Sequence, residues 1–398
     1  MLLDEAVEYA MTCHTPFFLF DLSSIREHYS ALRDAFPAAY IHYAVKANNH
    51  PTVLSYLRDL GARFEVGSLP EIGLLEQSGV SPGHIIFSSP VKPAVHIREA
   101  FRFGIDLFVY DSENEIEKLS RFAPGSRVMV RIVVPSDGSL FPLNAKFGAL
   151  PEKAVDLLLA ARSKGLSPYG IAFHVGSQCE RKETWREALE IVSDVWRRAA
   201  GRGIILPALD IGGGFPLAYA HPVPGIEEIA REIRSGLLAG FPPETELMLE
   251  PGRFLVGGAA ILAAEVIGVT RRESCEWAYL NISAFHGLIE SLQMEGRFPY
   301  QVTTGLPDAD TRKYVLSGNT CDPDDTLFSE IYLPELSEGD RIFILNTGAY
   351  SFVYATQFHA YPLPRIYFTW IPLELQFEDR IARRGSYGGA GKGRVCQR

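Results

Sequence analysis

Between Tyr40 and Glu250 the chain alternates short apolar runs with longer amphipathic stretches, and it does so eight times. The strand-like runs fall at 40–46, 62–66, 84–88, 105–110, 127–134, 168–175, 207–211 and 246–250. Helical periodicity fills most of the gaps, as at 69–79, 151–165, 182–201 and 224–239. Strands separated by helices pair in parallel, because a crossover has to carry the chain back to its starting edge. Eight such units close a (β/α)8 barrel. A doubly wound open sheet has the same alternation, and the polar residues at the strand tips favour the barrel.

From Ala259 the text changes. Strand-like runs at 260–270, 276–281, 313–318, 341–346 and 364–376 follow one another without long helices, and Gly, Pro and Asp punctuate them. This predicts an antiparallel β domain. The run at 16–21 lies outside the barrel alternation and is assigned to the same second sheet. Residues 1–14 are read as a short helix, and Ser23 or Ser24 as the cap of a helix running to about Phe36. The expected organisation is a barrel at 22–258, a β domain at 259–380 joined by 1–21, and a mobile Gly/Arg-rich tail at 381–398.

Composition narrows the function. A formal charge of −10 over 398 residues, with no dense basic stripe, argues against nucleic acid and anionic membranes as partners. No apolar run reaches membrane-spanning length, and the N-terminus carries acids where a signal peptide carries bases. The five cysteines are scattered and form no C-x-x-C pair, which points to reduced thiols in a cytosol with no zinc site.

In a barrel the chemistry gathers at the C-terminal ends of the strands. Read that way, the tips carry Lys46, Glu65, Ser88-Ser89, Asp111, Arg131, His174 with Ser177, Gly212-Gly213-Gly214, and Glu250 with Gly252 and Arg253. Any one of these alone is an ordinary polar strand end; the series is not. A lysine held against apolar neighbours loses its proton more cheaply, as imine chemistry requires. The glycine run is a backbone nest for an anion, and Arg253 adds a fork of donors close by. A carboxylate on the last strand keeps a pyridine ring protonated and a stronger electron sink. Imine, anion and pyridine together indicate pyridoxal 5′-phosphate, with His174 stacked on the ring. The long loop from Pro135 to Lys146 is either a lid or a plain surface insertion.

Thr15-Pro16, Tyr43–Asn48, His174–Gln178, Asp210–Pro216, Glu250–Arg253, Cys321-Asp322 and Gly348–Tyr350 occur in an order that resembles the fold type III pyridoxal-phosphate decarboxylases, the ornithine/diaminopimelate/arginine decarboxylase group. The resemblance spans about Thr15 to Tyr350. It implies an alanine-racemase-like barrel on a β domain, in a homodimer whose subunits share each active site. It also implies that Lys46 forms the imine with the cofactor. Ser177, Gly212 to Gly214, Arg253 and Tyr350 are placed at the phosphate, Glu250 at the ring nitrogen and Arg131 near the ring oxygen. Cys321, from the partner subunit, is then the proton donor, and Asp322 borders the substrate.

The substrate is harder to read. Ornithine-type members carry an aspartate in the segment that here reads Gln293-Met294-Glu295, and diaminopimelate-type members carry an arginine at about Glu290. Asn281–Glu290 resembles members that decarboxylate citryl-amino acids in carboxylate-siderophore assembly, with His286, Gln293 or Arg297 facing the citryl carboxylates. The expectation is therefore a citryl-amino-acid decarboxylase. Ornithine, lysine or diaminopimelate decarboxylation is the alternative, and a racemase or a non-catalytic regulatory homologue the more distant ones.

Overall fold

The computed structural model describes residues 2–272, 275–305 and 310–369. Eight parallel strands close a barrel: Tyr40–Ala44, Arg63–Val66, Ile85–Phe87, Leu107–Tyr110, Arg127–Arg131, Ser167–Ala172, Ala208–Asp210 and Glu246–Leu249. All eight predicted runs are present in the predicted order. The last strand closes the ring on the first, with Met248 opposite Tyr40 and Leu249 opposite Ile41. The strands are almost wholly apolar because helices cover the outside and side chains fill the inside. Helix Glu183–Gly201, for example, buries Trp185, Leu189, Val192 and Trp196 along one face.

Several strands stop a residue or two short of their predicted ends. The first leaves the ladder after Ala44, and Lys46 sits in the 3-10 turn Val45–Ala47. Other partners take the backbone there: Ala44 N–H donates to Pro251 O, and Ala47 O accepts from Tyr350 N–H at 2.8 Å. The turn that carries Lys46 is thus tied both to the last barrel strand's exit and to the second domain.

Two expectations about local structure need correction. Helix Leu22–Ala35 is capped by Asp21, whose side chain accepts from Ser23 N–H at 2.8 Å, and not by Ser23 or Ser24. The second sheet is mixed and not purely antiparallel. Glu276–Tyr279 runs parallel to Tyr314–Ser317, and Phe17–Phe20 runs parallel to Arg365–Phe368 while pairing antiparallel with Ala260–Ala263. The N-terminal strand is thereby in the second sheet, as anticipated. A strand absent from the prediction, Thr326–Pro334, forms one edge of this sheet. Its ladder with Thr311–Ser317 shifts register twice, which breaks the alternation a strand shows in sequence. Only Arg365–Phe368 of the predicted 364–376 run is a described strand; the remainder from 370, and the tail at 381–398, lie outside the described residues.

The loop after the fifth barrel strand is not free. Ser139–Phe141 pairs antiparallel with Ser177–Cys179, just past the sixth strand's tip. Gly176 makes this approach possible: its φ is +96°, and a Cβ there would collide with Ser139. Below the third and fourth tips, the fully buried ammonium of Lys92 donates to Ser89 O at 2.8 Å and Val109 O at 2.6 Å. Glu115 lies 3.1 Å away. Burial brings this amine down to about 8, against the pull of Glu115. Among the described residues no helix is long and apolar enough to cross a membrane.

Candidate active site

The strand tips bring most of the predicted residues to one end of the barrel, within contact or electrostatic reach of one another. Lys46 donates to the buried carboxylate of Glu65, which its own strand positions: Glu65 is opposite Ala44 in the parallel ladder. Desolvation by the surrounding protein disfavours the Lys46 ammonium, although its side chain is half exposed. The Glu65 carboxylate, Tyr350, Glu250 and the Glu65 hydrogen bond together outweigh it, and the amine titrates above its ordinary range. This reverses the sequence expectation of an easily deprotonated lysine. Without a cofactor the acids in the site set the charge, and burial does not.

Glu250 faces the same space. It is buried, and its Oε1 has no hydrogen-bond partner among the described residues. Burial, then the neighbouring Glu65, push its carboxyl up, and Lys46 pulls it down. Lys46 and Glu250 influence each other electrostatically, so the amine of the first strand and the acid of the last stand at the same end of the barrel. Asp210 lies beside Glu250 and accepts from Gly212 N–H at 2.8 Å; burial and Glu250 drive its carboxyl well above the usual range. Arg131 balances these acids. Its guanidinium is brought down by burial and supported by Glu250, Glu65, Asp111 and Asp210.

His174 accepts from Gly176 N–H at Nδ1, 2.9 Å away, which leaves the ring proton on Nε2. Burial, Arg131 and Lys46 hold the imidazole well below its ordinary value, so it is neutral near pH 7. A neutral ring can lie flat against a charged heterocycle at a lower electrostatic cost than an imidazolium.

The glycine run closes the next stretch of the cavity. Gly212 and Gly214 have φ of +66° and +96°, and a Cβ at either would strike the carbonyl of Phe173 or Gly176. Only glycine permits so close a packing of the seventh tip against the sixth. The N–H groups of Gly213 and Gly214 donate to no acceptor among the described residues. Arg253 stands nearby: its Nη2 donates to Ser177 Oγ at 3.2 Å, and the Tyr350 ring centre is 4.9 Å from its Cζ. Gly252 packs against Ala47 and the Tyr350 hydroxyl.

Three site residues escaped the sequence reading. Nη1 of Arg253 donates to Glu290 Oε2 at 2.9 Å and to Tyr219 Oη at 2.8 Å. In sequence Glu290 stands out only as the absence of an arginine, and nothing in the sequence marks Tyr219. Asp210 fell inside a motif but had no role. The short helix Ile289–Gln293 thus sits over the Arg253 end of the cavity.

The remaining candidates lie elsewhere in the chain. Cys321 is exposed, with Sγ 3.3 Å from His359 Nε2. Asp322 lines a groove of about 740 Å³ together with Trp277, Phe285, Glu295 and Asp324. Lys46, His174 and Glu250 do not line that groove. His286 is buried, bonded through Nε2 to Phe358 O. Gln293 is exposed, and Arg297 is exposed and paired with Glu295.

An acid with an unpartnered buried oxygen, two open backbone N–H groups and an arginine opposite a lysine fit a pyridine ring carrying an aldehyde and a phosphate. The comparisons agree. Residues 22–257 match the family described as pyridoxal-dependent decarboxylase, pyridoxal binding domain. The lysine/ornithine decarboxylase of Selenomonas ruminantium is 35% identical over 355 residues, 89% of this chain and 90% of that one. Antizyme inhibitor 2 of Xenopus laevis is 31% identical over 96% of this chain and 86% of that one. The solved structure of SrLDC in complex with PLP and cadaverine matches with a TM-score of 0.84 and 32% identity, over 97% of this chain and 98% of that one.

Proposed function

The chain belongs to the pyridoxal-dependent decarboxylases, and on that premise we propose that it removes the α-carboxyl group of a basic amino acid of the lysine and ornithine class. It is a carboxy-lyase, and its cofactor is pyridoxal 5′-phosphate. When bound, the cofactor supplies the electron sink into which the bond to the carboxylate breaks. The chain's own residues supply the rest. Lys46 would hold the aldehyde carbon. Gly213 and Gly214 N–H, Ser177, Arg253 and Tyr350 would hold the phosphate. Glu250 would take the ring N–H and His174 the ring face. The observation that carries the cofactor reading is the buried Oε1 of Glu250, without a hydrogen-bond partner among the described residues, within electrostatic reach of Lys46.

The groove beside Cys321 supports a distal cation, because Asp322 and Asp324 line it and, among the described lining residues, no Lys or Arg does; Glu295, also on the groove, is paired with Arg297. Asp322 and Cys321 stand apart from Lys46 within one chain. A homodimer that sets this face over the partner's barrel would complete the site. Exposed Tyr354, Phe358, Tyr361 and Leu363, on the segment that brings His359 to Cys321, support such an interface. The free Cys13, Cys179, Cys275 and Cys321 support a reducing, cytoplasmic setting.

A second reading, a citryl-amino acid of siderophore assembly, is favoured by one observation. Met294, packed against the core, stands in the segment where a distal-amine aspartate would be expected, and a conjugate has no free distal ammonium to bind. Against it, Arg297 is already paired with Glu295. Racemisation is opposed by the acid at Glu250, and a regulatory role by the presence of Lys46, Glu250 and Cys321 together.

Carbon dioxide release from lysine, ornithine, diaminopimelate and citryl conjugates tests the proposal. The highest kcat/KM is expected on lysine or ornithine. Turnover confined to the conjugates would overturn it in favour of the second reading.

A further inference from the structure

The segment 352–361 bends sharply around His359. His359 and Ala360 both have left-handed backbone, φ +58° and +59°, a conformation that costs any residue with a Cβ and is rare for two in succession. Contacts on both sides hold it. Phe358 O accepts from His286 Nε2 at 3.1 Å, the Tyr361 hydroxyl donates to Asn319 O, and the Tyr361 ring packs against His286. Thr356 N–H adds a bond to Phe285 O at 2.9 Å. The outcome of this bend is one contact: the His359 imidazole lies 3.3 Å from Cys321 Sγ, on a turn that Asp325 ties down through Thr320.

We propose that His359 is a positioning residue for Cys321, holding its sulfur by a hydrogen bond and exchanging a proton with it. The inference rests on the reading of Cys321 as the proton donor of the decarboxylation. In that role the Sγ–H proton passes to the substrate carbon that has lost carbon dioxide, and a thiolate remains. The imidazole then relays a proton from water to the sulfur through Nε2. No redox change occurs, and the proton count closes with solvent as source.

The surroundings make the contribution of His359 separable. Asp322 and Asp324 on the same turn, and Glu295 across the groove, are negative and oppose a thiolate. Asp325, which holds Thr320, Arg297, paired with Glu295, His286, bonded to Phe358 O, and Tyr361 complete the titratable groups on the packed elements. Of these groups, His359 is the one in direct contact with the sulfur. A change in the reactivity of Cys321 on removing the imidazole is therefore assigned to this contact.

The test is the pH dependence of Cys321 alkylation by iodoacetamide, followed by peptide mass in the holoenzyme, for the wild type and His359→Asn. Asparagine tolerates the left-handed backbone and does not titrate. Cys321 is expected to react about tenfold more slowly at pH 7 in the variant, with its midpoint moved upward by about one unit. His359→Gln should behave like Asn, which guards against a backbone effect of either variant. Superimposable alkylation profiles in all three proteins would overturn the inference. The reading of Cys321 itself fails differently: Cys321→Ala would then give only clean amine product at the wild-type rate, whatever the alkylation shows.

Discussion

Glu290 turns both carboxylate oxygens toward the guanidinium of Arg253, in a pair whose side chains are 5% and 3% exposed. The arginine assigned to the phosphate is therefore neutralised by the protein before any ligand arrives. Removing one partner of a buried pair leaves an uncompensated charge, so Glu290→Ala should lower stability by about 3–5 kcal/mol. Glu290→Gln, which keeps acceptor and shape, should lose less than half of that. Urea unfolding of the two variants checks the order, and equal losses would mean that packing, not charge, is what Glu290 contributes.

The contact of Lys46 with Glu65 sets the state of the amine that receives the cofactor. Burial acts to lower the Lys46 value and Glu65 to raise it, with Glu65 and its allies ahead. Glu65→Gln removes the principal opponent of burial. The apoprotein should then combine with pyridoxal phosphate several-fold faster at pH 8, where a larger share of Lys46 is neutral. Reconstitution followed by absorbance, with Lys46→Ala as the blank, measures this. A slower rate in Glu65→Gln would show that Glu65 acts on the cofactor directly.

Gly214 carries the seventh strand past the carbonyl of Gly176 with φ +96°. Gly214→Ala meets both a backbone collision and a disfavoured conformation, with an expected cost of about 1–3 kcal/mol. Because the displaced backbone bears the two open N–H groups, cofactor affinity should fall at least tenfold. Equilibrium dialysis against pyridoxal phosphate reads the second effect separately from the first.

His42 gives a pH dependence whose sign is fixed. Burial, with the charge of Arg63 adding to it, holds its imidazole neutral down to about 3, against a smaller upward pull from the Tyr40 backbone. The unfolded chain binds that proton near the ordinary value of about 6.5, so the unfolded state holds more protons between 6.5 and 3. Stability is complete above about 6.5 and falls as the pH drops toward 3, by at most about 1.4 kcal/mol per unit from this group. His174 shares the direction. His42→Leu should therefore lose about 2 kcal/mol less than the wild type between pH 6.5 and 4.5. Equal losses in both proteins would assign the slope to other groups.

What the sequence determined was the periodic part. Eight apolar runs parted by amphipathic helices admit parallel pairing and a closed ring, and the order of Lys46, His174, Gly212–Gly214 and Glu250 follows from which runs they end. Such features need only local patterning, since each strand tip is adjacent in sequence to its strand. The tertiary structure decided what depends on distant neighbours. Lys46 is expected to be readily neutral if judged by its apolar flanks, yet Glu65, nineteen residues on, holds it charged. Arg253 is a free fork in sequence and a filled one in space, because Glu290 and Tyr219 reach it from other segments. The edge strand Thr326–Pro334 and the parallel pairs of the second sheet are fixed by register with partners that no short window contains. Electrostatic energy and sheet pairing both depend on separation in space, and the folded chain alone sets those separations.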